Sequence, residues 1–418
     1  MSISNCNKIY TEIINSKSIN EKIINPITSR YIAPFKETGI KLLKECEENA
    51  KKLKNKELFF IQYRNNSCYK DSFYTSIFLY KHPYIDKTLL YRDVSKINYI
   101  NGIPCNNDIL NIKKIQFFLQ KIRISFLYPT TPILTYIDSF LTKAFQHYCK
   151  NNNYVKEFTP GLQNDPELIA RFLFDDLFPP FENDKGKYQI ISYICQDIDL
   201  KKKKKIKVET NHFNFNFQIS NEYLLNFNHT TNTYEKYPHN TLLNVYDLLQ
   251  NMKLYSVFNF IRSSDGKVYN GKIDITKIIK YPKLLFLKIE RFNFNHIYNS
   301  QPIFPSPILN DNLCLYSIIC QTSTNTNSNH YISFIKYINR WLYYDDMSGI
   351  YKTIGSFEIL INNKEYFDLI FTKSVLLCYE YSSILPTINV DKLQNRIKNR
   401  LKKFVKSPSN DLSLSLSL

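Results

Sequence analysis

Residues 65–80 read NNSCYKDSFYTSIFLY, and the position of one thiol in this stretch decides how the rest of the 418-residue chain is read. Tyr69, Phe73, Ile77 and Tyr80 recur at helical spacing, which predicts a helix packed along one side. Cys68 then falls in the first turn, where unbonded N–H groups and the helix dipole favour a thiolate. Such a nucleophile needs a base for its proton and a group to orient that base, and both can come from distant sequence.

Of the seven histidines, His330 opens a strand candidate, HYISFIKYI, whose successor RWLYYDD ends in paired acids. A reversal within residues 336–340 sets His330 and Asp345 nearly opposite one another on a hairpin. A carboxylate beside an imidazole fixes its tautomer and stabilises its protonated form, as a thiolate–imidazolium pair requires. Singly, each signal has a plainer reading: a core cysteine, a satisfied strand histidine, a turn holding two acids. Chain order and spacing join them into one candidate site.

Apolar residues make up 44% of the chain and aromatic residues 15%, enough to exclude disorder over most of its length. No apolar run reaches the roughly 18 residues of a membrane-spanning helix, and the start, MSISNCNKIYTEIINSKS, lacks a signal-peptide layout. The expectation is a soluble, intracellular protein. Nine scattered cysteines, an odd number, predict reduced thiols in place of a disulfide framework. A formal net charge of +18 favours acidic partners. Part of that excess follows from the abundance of Lys, Asn and Ile, a usage that fits an AT-rich genome, that of a large DNA virus or a parasite. A viral source would place the protein in host cytoplasm or a virion.

Helix candidates come first and strand candidates later, so the expected fold class is α+β. Residues 1–56 read as an N-terminal helical extension, with Ile40, Leu43 and Cys46 at helical spacing in a charged segment. Residues 57–384 read as one mixed domain. Within it PELIARFLFDDLF is a second apolar helix, while KYQIISYICQDIDL, HFNFNFQIS and PKLLFLKIERFNF read as strands. The lysine run 201–205 reads as a solvated hairpin tip. Residues 385–418 begin with a basic amphipathic helix carrying Leu393, Ile397, Leu401, Phe404 and Val405. It suits an acidic partner, a membrane surface or docking on the main domain. The closing SPSNDLSLSLSL is low in complexity and expected to be disordered.

Four segments, in order across about 57–384, together resemble the ubiquitin-specific proteases. NNSCYKDS is similar to the family's cysteine box, GNTCYxNS, and GLQNDPELIARFLFDDL to its Gln-Asp-Ala-x-Glu-Phe helix. YPKLLFLKIERFNF resembles its Leu-Pro-x-x-Leu-x-x-x-Leu-x-Arg-Phe strand. NHYISFIKYINRWLYYDD resembles its histidine box, Gly-His-Tyr to Trp-Tyr-x-Phe-Asp-Asp. The resemblance implies a papain-like cysteine peptidase with thumb (about 57–182), fingers (about 183–275) and palm (about 276–384), and antiparallel sheet in palm and fingers. Its implied reaction is hydrolysis of the bond after the C-terminal glycine of ubiquitin or a relative. By position, Cys68 is the nucleophile, His330 the general base, Asp345 the orienter and Asp346 a support. Asp165 and Glu167 match acids that grip ubiquitin's basic tail, and Tyr331 matches the aromatic flanking the glycine channel. The implied partners are ubiquitin and ubiquitinated proteins, with no obligatory nucleic acid, no cofactor and no catalytic metal.

The chain departs from the family pattern at defined places. Tyr63 stands where an oxyanion-binding Asn is usual, and Gln62 is the nearest amide that could substitute. Asp71 replaces an Asn, and its carboxylate opposes a nearby thiolate while favouring the helix start. Asn65 and Asn329 replace glycines. The paired C-x-x-C motifs of the family's fingers are missing, which predicts zinc-free fingers with Cys195 as a buried apolar residue. Glu167 follows Asp165 by two positions where the family has three, so Asp165 is the better placed for the tail. Two rival readings stay open: a ubiquitin-binding pseudoenzyme, and a basic structural or nucleic-acid-associated protein on the same scaffold.

Overall fold

The computed structural model describes residues 2–16, 20–34, 36–51, 61, 67–80, 82–97, 106–127, 143–146, 164–179, 194–197, 205–206, 216–228, 233–238, 241–250, 257–261, 268–274, 281–293, 295–309, 312–323 and 330–406. Near the N-terminus, helices α1 (Ile3–Asn15) and α2 (Glu37–Lys51) flank a short pairing of Ile23–Ile24 with Tyr31–Ile32. Ser2 caps α1 by accepting the Asn5 N–H. Ile9 and Ile13 of α1 bury against Leu43 of α2, and Cys6 and Cys46 between them form a disulfide with Cα atoms 5.5 Å apart. This corrects the expectation of reduced thiols throughout: two apolar stripes pack face to face and bring into bonding range residues whose spacing gave no sign of pairing.

Helix α3 (Cys68–Phe78) is buried at every residue, polar ones included, so it packs on all sides and not on one as the spacing predicted. Tyr80 lies beyond its end and is exposed. Apolar residues of α4 (Asn106–Leu127) and α5 (Pro166–Arg171) share its core. Asp165 caps α5, and Pro166 opens it at a position where a missing N–H costs nothing.

Strands β1 (Ile194–Asp197), β2 (Lys205–Ile206), β4 (Val257–Ile261) and β5 (Val268–Asp274) form an antiparallel sheet in the order β2-β1-β5-β4. Cys195 lies on β1, and its side chain, like residues 201–204, falls outside the described residues. Strand β3 (Asn216–Ile219) belongs elsewhere. It edges the main sheet with β6 (Leu284–Ile289), β7 (Leu313–Gln321), β8 (Tyr331–Tyr337), β9 (Arg340–Asp345), β10 (Ile350–Gly355) and β11 (Ser374–Tyr381). The order is β10-β9-β8-β7-β11-β6-β3, antiparallel except that β3 lies parallel to β6. One expectation is corrected here: the main sheet, which Asn216–Ile219 edges, is not wholly antiparallel. The long crossover from β3 to β6 is what a parallel neighbour requires.

Alternation along the central strands divides two cores. Leu284, Phe286, Leu376 and Cys378 face the helical core around α3. Leu285, Leu287, Leu377 and Tyr379 face a second core covered by α6 (Phe357–Asn362), α7 (Lys364–Thr372) and α8 (Val390–Lys406). Leu393, Ile397 and Leu401 of α8 are buried there, so the basic helix docks on the main domain. The side chains of Phe404 and Val405, and the closing segment, lie outside the described residues. Among the described residues no helix is long and apolar enough to cross a membrane.

Candidate active site

Polar bonds fasten the start and middle of α3 to the sheet. Ser72 Oγ donates to the Tyr331 carbonyl at 3.1 Å, and the hydroxyls of Ser76 and Ser317 meet at 2.7 Å. Tyr344 OH donates to the Ile61 carbonyl at 3.0 Å, holding the chain just ahead of Cys68. Each unites residues more than two hundred positions apart, and together they deliver Cys68 to the end of β8.

The β8–β9 hairpin turns through residues 338 and 339, pairing Tyr337 with Arg340 and Ser333 with Tyr344. Continuing this register puts Ile332 across from Asp345, two places from the pairing expected, and His330 precedes the strand. A shift of two preserves the face on which a side chain lies, because strands alternate with period two. His330 therefore reaches Asp345 diagonally, with Nε2 2.9 Å from Oδ1. The ring also lies within electrostatic reach of Cys68.

Burial opposes a charged His330. The hydrogen bond to Asp345, the neighbouring Cys68 and the charge of Asp346 outweigh it and push the imidazole up to about 10. Burial also opposes ionised Asp345, yet its bond to His330 and the Met347 N–H at 3.0 Å hold it below the usual carboxylate range. Tyr343 OH donates to its second oxygen at 3.2 Å. Asp346 lies deeper, fully buried, with Oδ1 3.8 Å from His330 Nε2. Burial pushes this carboxyl up to about 6 despite the nearby imidazolium and the neighbouring Asp71. Asp71, itself buried, also takes the Ser67 hydroxyl.

The other predicted residues are placed as follows. Tyr331 is buried in the same apolar cluster as Cys68 and Tyr69. Asp165 and Glu167 both face Lys288, a partner that the sequence reading missed. Its one signal was alternation: Lys288 shares the strand face of Leu284 and Phe286, which packs toward α3. The Asp71–Asp346 contact was likewise missed. Gln62, Tyr63, Asn65 and Asn329 lie outside the described residues. Among the described residues His330, Asp345 and Asp346 offer ligand atoms within 4.8 Å of one another, a spacing open to a metal ion, though the first two already spend theirs on each other.

Cys314, Cys320 and Cys378, the other described free cysteines, lie in strands, and burial pushes each thiol up. Cys68 instead opens a helix and meets an imidazole backed by a carboxylate. An α+β molecule with these parts in file has the makings of a thiol-dependent hydrolase. A family model described as ubiquitin carboxyl-terminal hydrolase matches residues 61–349, and the chain belongs to that family, whose domain is a papain-like cysteine peptidase fold. The family acts on ubiquitin or ubiquitinated proteins. No curated protein matches the chain significantly.

Proposed function

We propose that this chain is a deubiquitinase that hydrolyses the bond after the C-terminal glycine of ubiquitin or a ubiquitin-like modifier. The observation that carries this reading is the file Cys68, His330, Asp345, with the imidazole within electrostatic reach of the thiol and bonded at 2.9 Å to the carboxylate. In that role the Cys68 thiolate attacks the glycine carbonyl, and His330 gives its proton to the leaving lysine amine. Water, activated by the now neutral ring, then releases the thioester. Asp345 holds the ring and its Nε2 proton, and Asp346 supports it from below. In this reading residues 57–384 form the catalytic domain of thumb, palm and fingers, residues 1–56 an extension and 385–418 a basic tail. Gln62 is the proposed side-chain donor to the oxyanion.

Ubiquitin carrying a thiol-trapping group at its C-terminus tests the reading. Labelling that disappears in Cys68→Ala is the expected result; binding without labelling sinks it. The second reading, a pseudoenzyme that binds the modifier without cleaving it, draws on Asp71, a buried acid three residues after Cys68 whose carboxylate would oppose a nearby thiolate.

A further inference from the structure

Lys288 lies near the end of β6, on the strand face that packs toward α3. Its Nζ is 3.2 Å from Asp165 Oδ2 and 3.4 Å from Glu167 Oε2. The remaining oxygen of Asp165 accepts the Glu167 N–H at 2.9 Å, so both are engaged within the chain. The cluster is shielded but not sealed, with side-chain exposures of 21% for Lys288, 37% for Asp165 and 14% for Glu167. Burial disfavours the ammonium, yet the two carboxylates outweigh it and raise its pKa, so the cation persists.

This cluster borders the nucleophile. Asn164, just ahead of Asp165, donates to the hydroxyl of Tyr69, the neighbour of Cys68, at 3.3 Å. The ring of Tyr331 lies within the electrostatic reach of both Asp165 and Cys68. A substrate tail entering toward Cys68 therefore passes an acidic pair that already holds a cation.

We infer that Lys288 is a specificity-determining residue, a tethered counter-cation that fills the acidic pair and denies it to basic side chains of the substrate tail. The inference rests on the deubiquitinase reading and specifies it: basic residues of the tail add little to binding here. An incoming guanidinium must displace an ammonium held at high effective concentration by its own backbone, so the exchange yields almost no net attraction.

The test compares ubiquitin bearing a C-terminal fluorogenic amide with the same protein whose tail arginines are changed to glutamine. KM and kcat are measured for the full chain and for Lys288→Gln, and Kd for both ubiquitins on Cys68→Ala with and without Lys288→Gln. The unchanged chain should discriminate between the tails by less than about threefold, and Lys288→Gln by about tenfold or more, in KM and Kd and not in kcat, with the preference shrinking in high salt. Lys288→Arg, which keeps the cation, should retain the original ratio. A purely structural lysine would alter both tails alike and leave the ratio unmoved, which overturns the inference. So does a native chain that already discriminates threefold or more, an arm that decides the matter even if Lys288→Gln fails to fold. Absence of binding in every combination also overturns it. Loss of warhead labelling with the expected Kd ratios ends the hydrolase reading and leaves this inference standing.

Discussion

His330 keeps its proton well above neutrality because Asp345 accepts it at 2.9 Å in a partly buried setting. Asp345→Asn keeps the shape and reverses the hydrogen-bond demand, so kcat for a fluorogenic ubiquitin should fall by about 100-fold or more with KM little changed. A drop below tenfold would remove Asp345 from the orienting role. Asp346 gives a pH test with the opposite sense. Its folded value is raised to about 6 from an ordinary 3.8, so the stability it contributes is fully present below the ordinary value and is lost as pH rises through about 6. Asp346→Asn keeps a neutral group at every pH, and should therefore be more stable than the native chain at pH 8 by up to about 3 kcal/mol. Near pH 3 the two should unfold at the same urea concentration. A gain equal at both pH values would assign the effect to another group.

At the scale of elements, the β8–β9 hairpin carries an avoidable strain. Ile338, an exposed β-branched residue in its turn, has φ of 57°, a region suited to glycine. Ile338→Gly should raise stability by about 1 kcal/mol, read as a higher urea midpoint at unchanged slope. Arg291 works in the other direction. Buried beside β6, it donates to the carbonyls of Ser374 at 3.1 Å, Gln301 at 2.6 Å and Phe371 at 3.0 Å, and burial lowers its pKa only to about 10, so it stays charged. Arg291→Met removes the charge but strands these carbonyls and that of Asn299, and should cost about 3 kcal/mol or more. The Arg-Phe pair after β6 was legible as a motif, but not its work, because its partners come from three other segments. Alternation in HYISFIKYI and RWLYYDD likewise fixed which face His330 and Asp345 share, while the turn chose a register two residues away from the symmetric one.

At the scale of the whole molecule, both ends of the described chain are fastened to the body. The Cys6–Cys46 disulfide closes a loop of sequence separation 40, which in the chain-entropy model is worth about 4 kcal/mol. Cys6→Ser with Cys46→Ser should lower the melting temperature, and reductant should then have no further effect. Removing residues 385–418 strips Leu393, Ile397 and Leu401 from the second core and the Arg400 donor from the Asn362 carbonyl, 3.0 Å away. The truncated chain should melt earlier, and a helix that merely reached outward for an acidic partner would leave the melt unchanged.

The sequence by itself determined the family, the α+β class, the helix that Cys68 opens and the common face of His330 and Asp345. These follow from local order: spacing along a helix, alternation along a strand, and motifs short enough to read in one line. Tertiary structure alone decided that Lys288 occupies Asp165 and Glu167, that Asp71 comes close to Asp346, that Cys6 bonds Cys46 and that β3 lies parallel to β6. Each of these joins groups that are strangers in sequence, and their energies depend on burial and distance, quantities that exist only once the chain has packed.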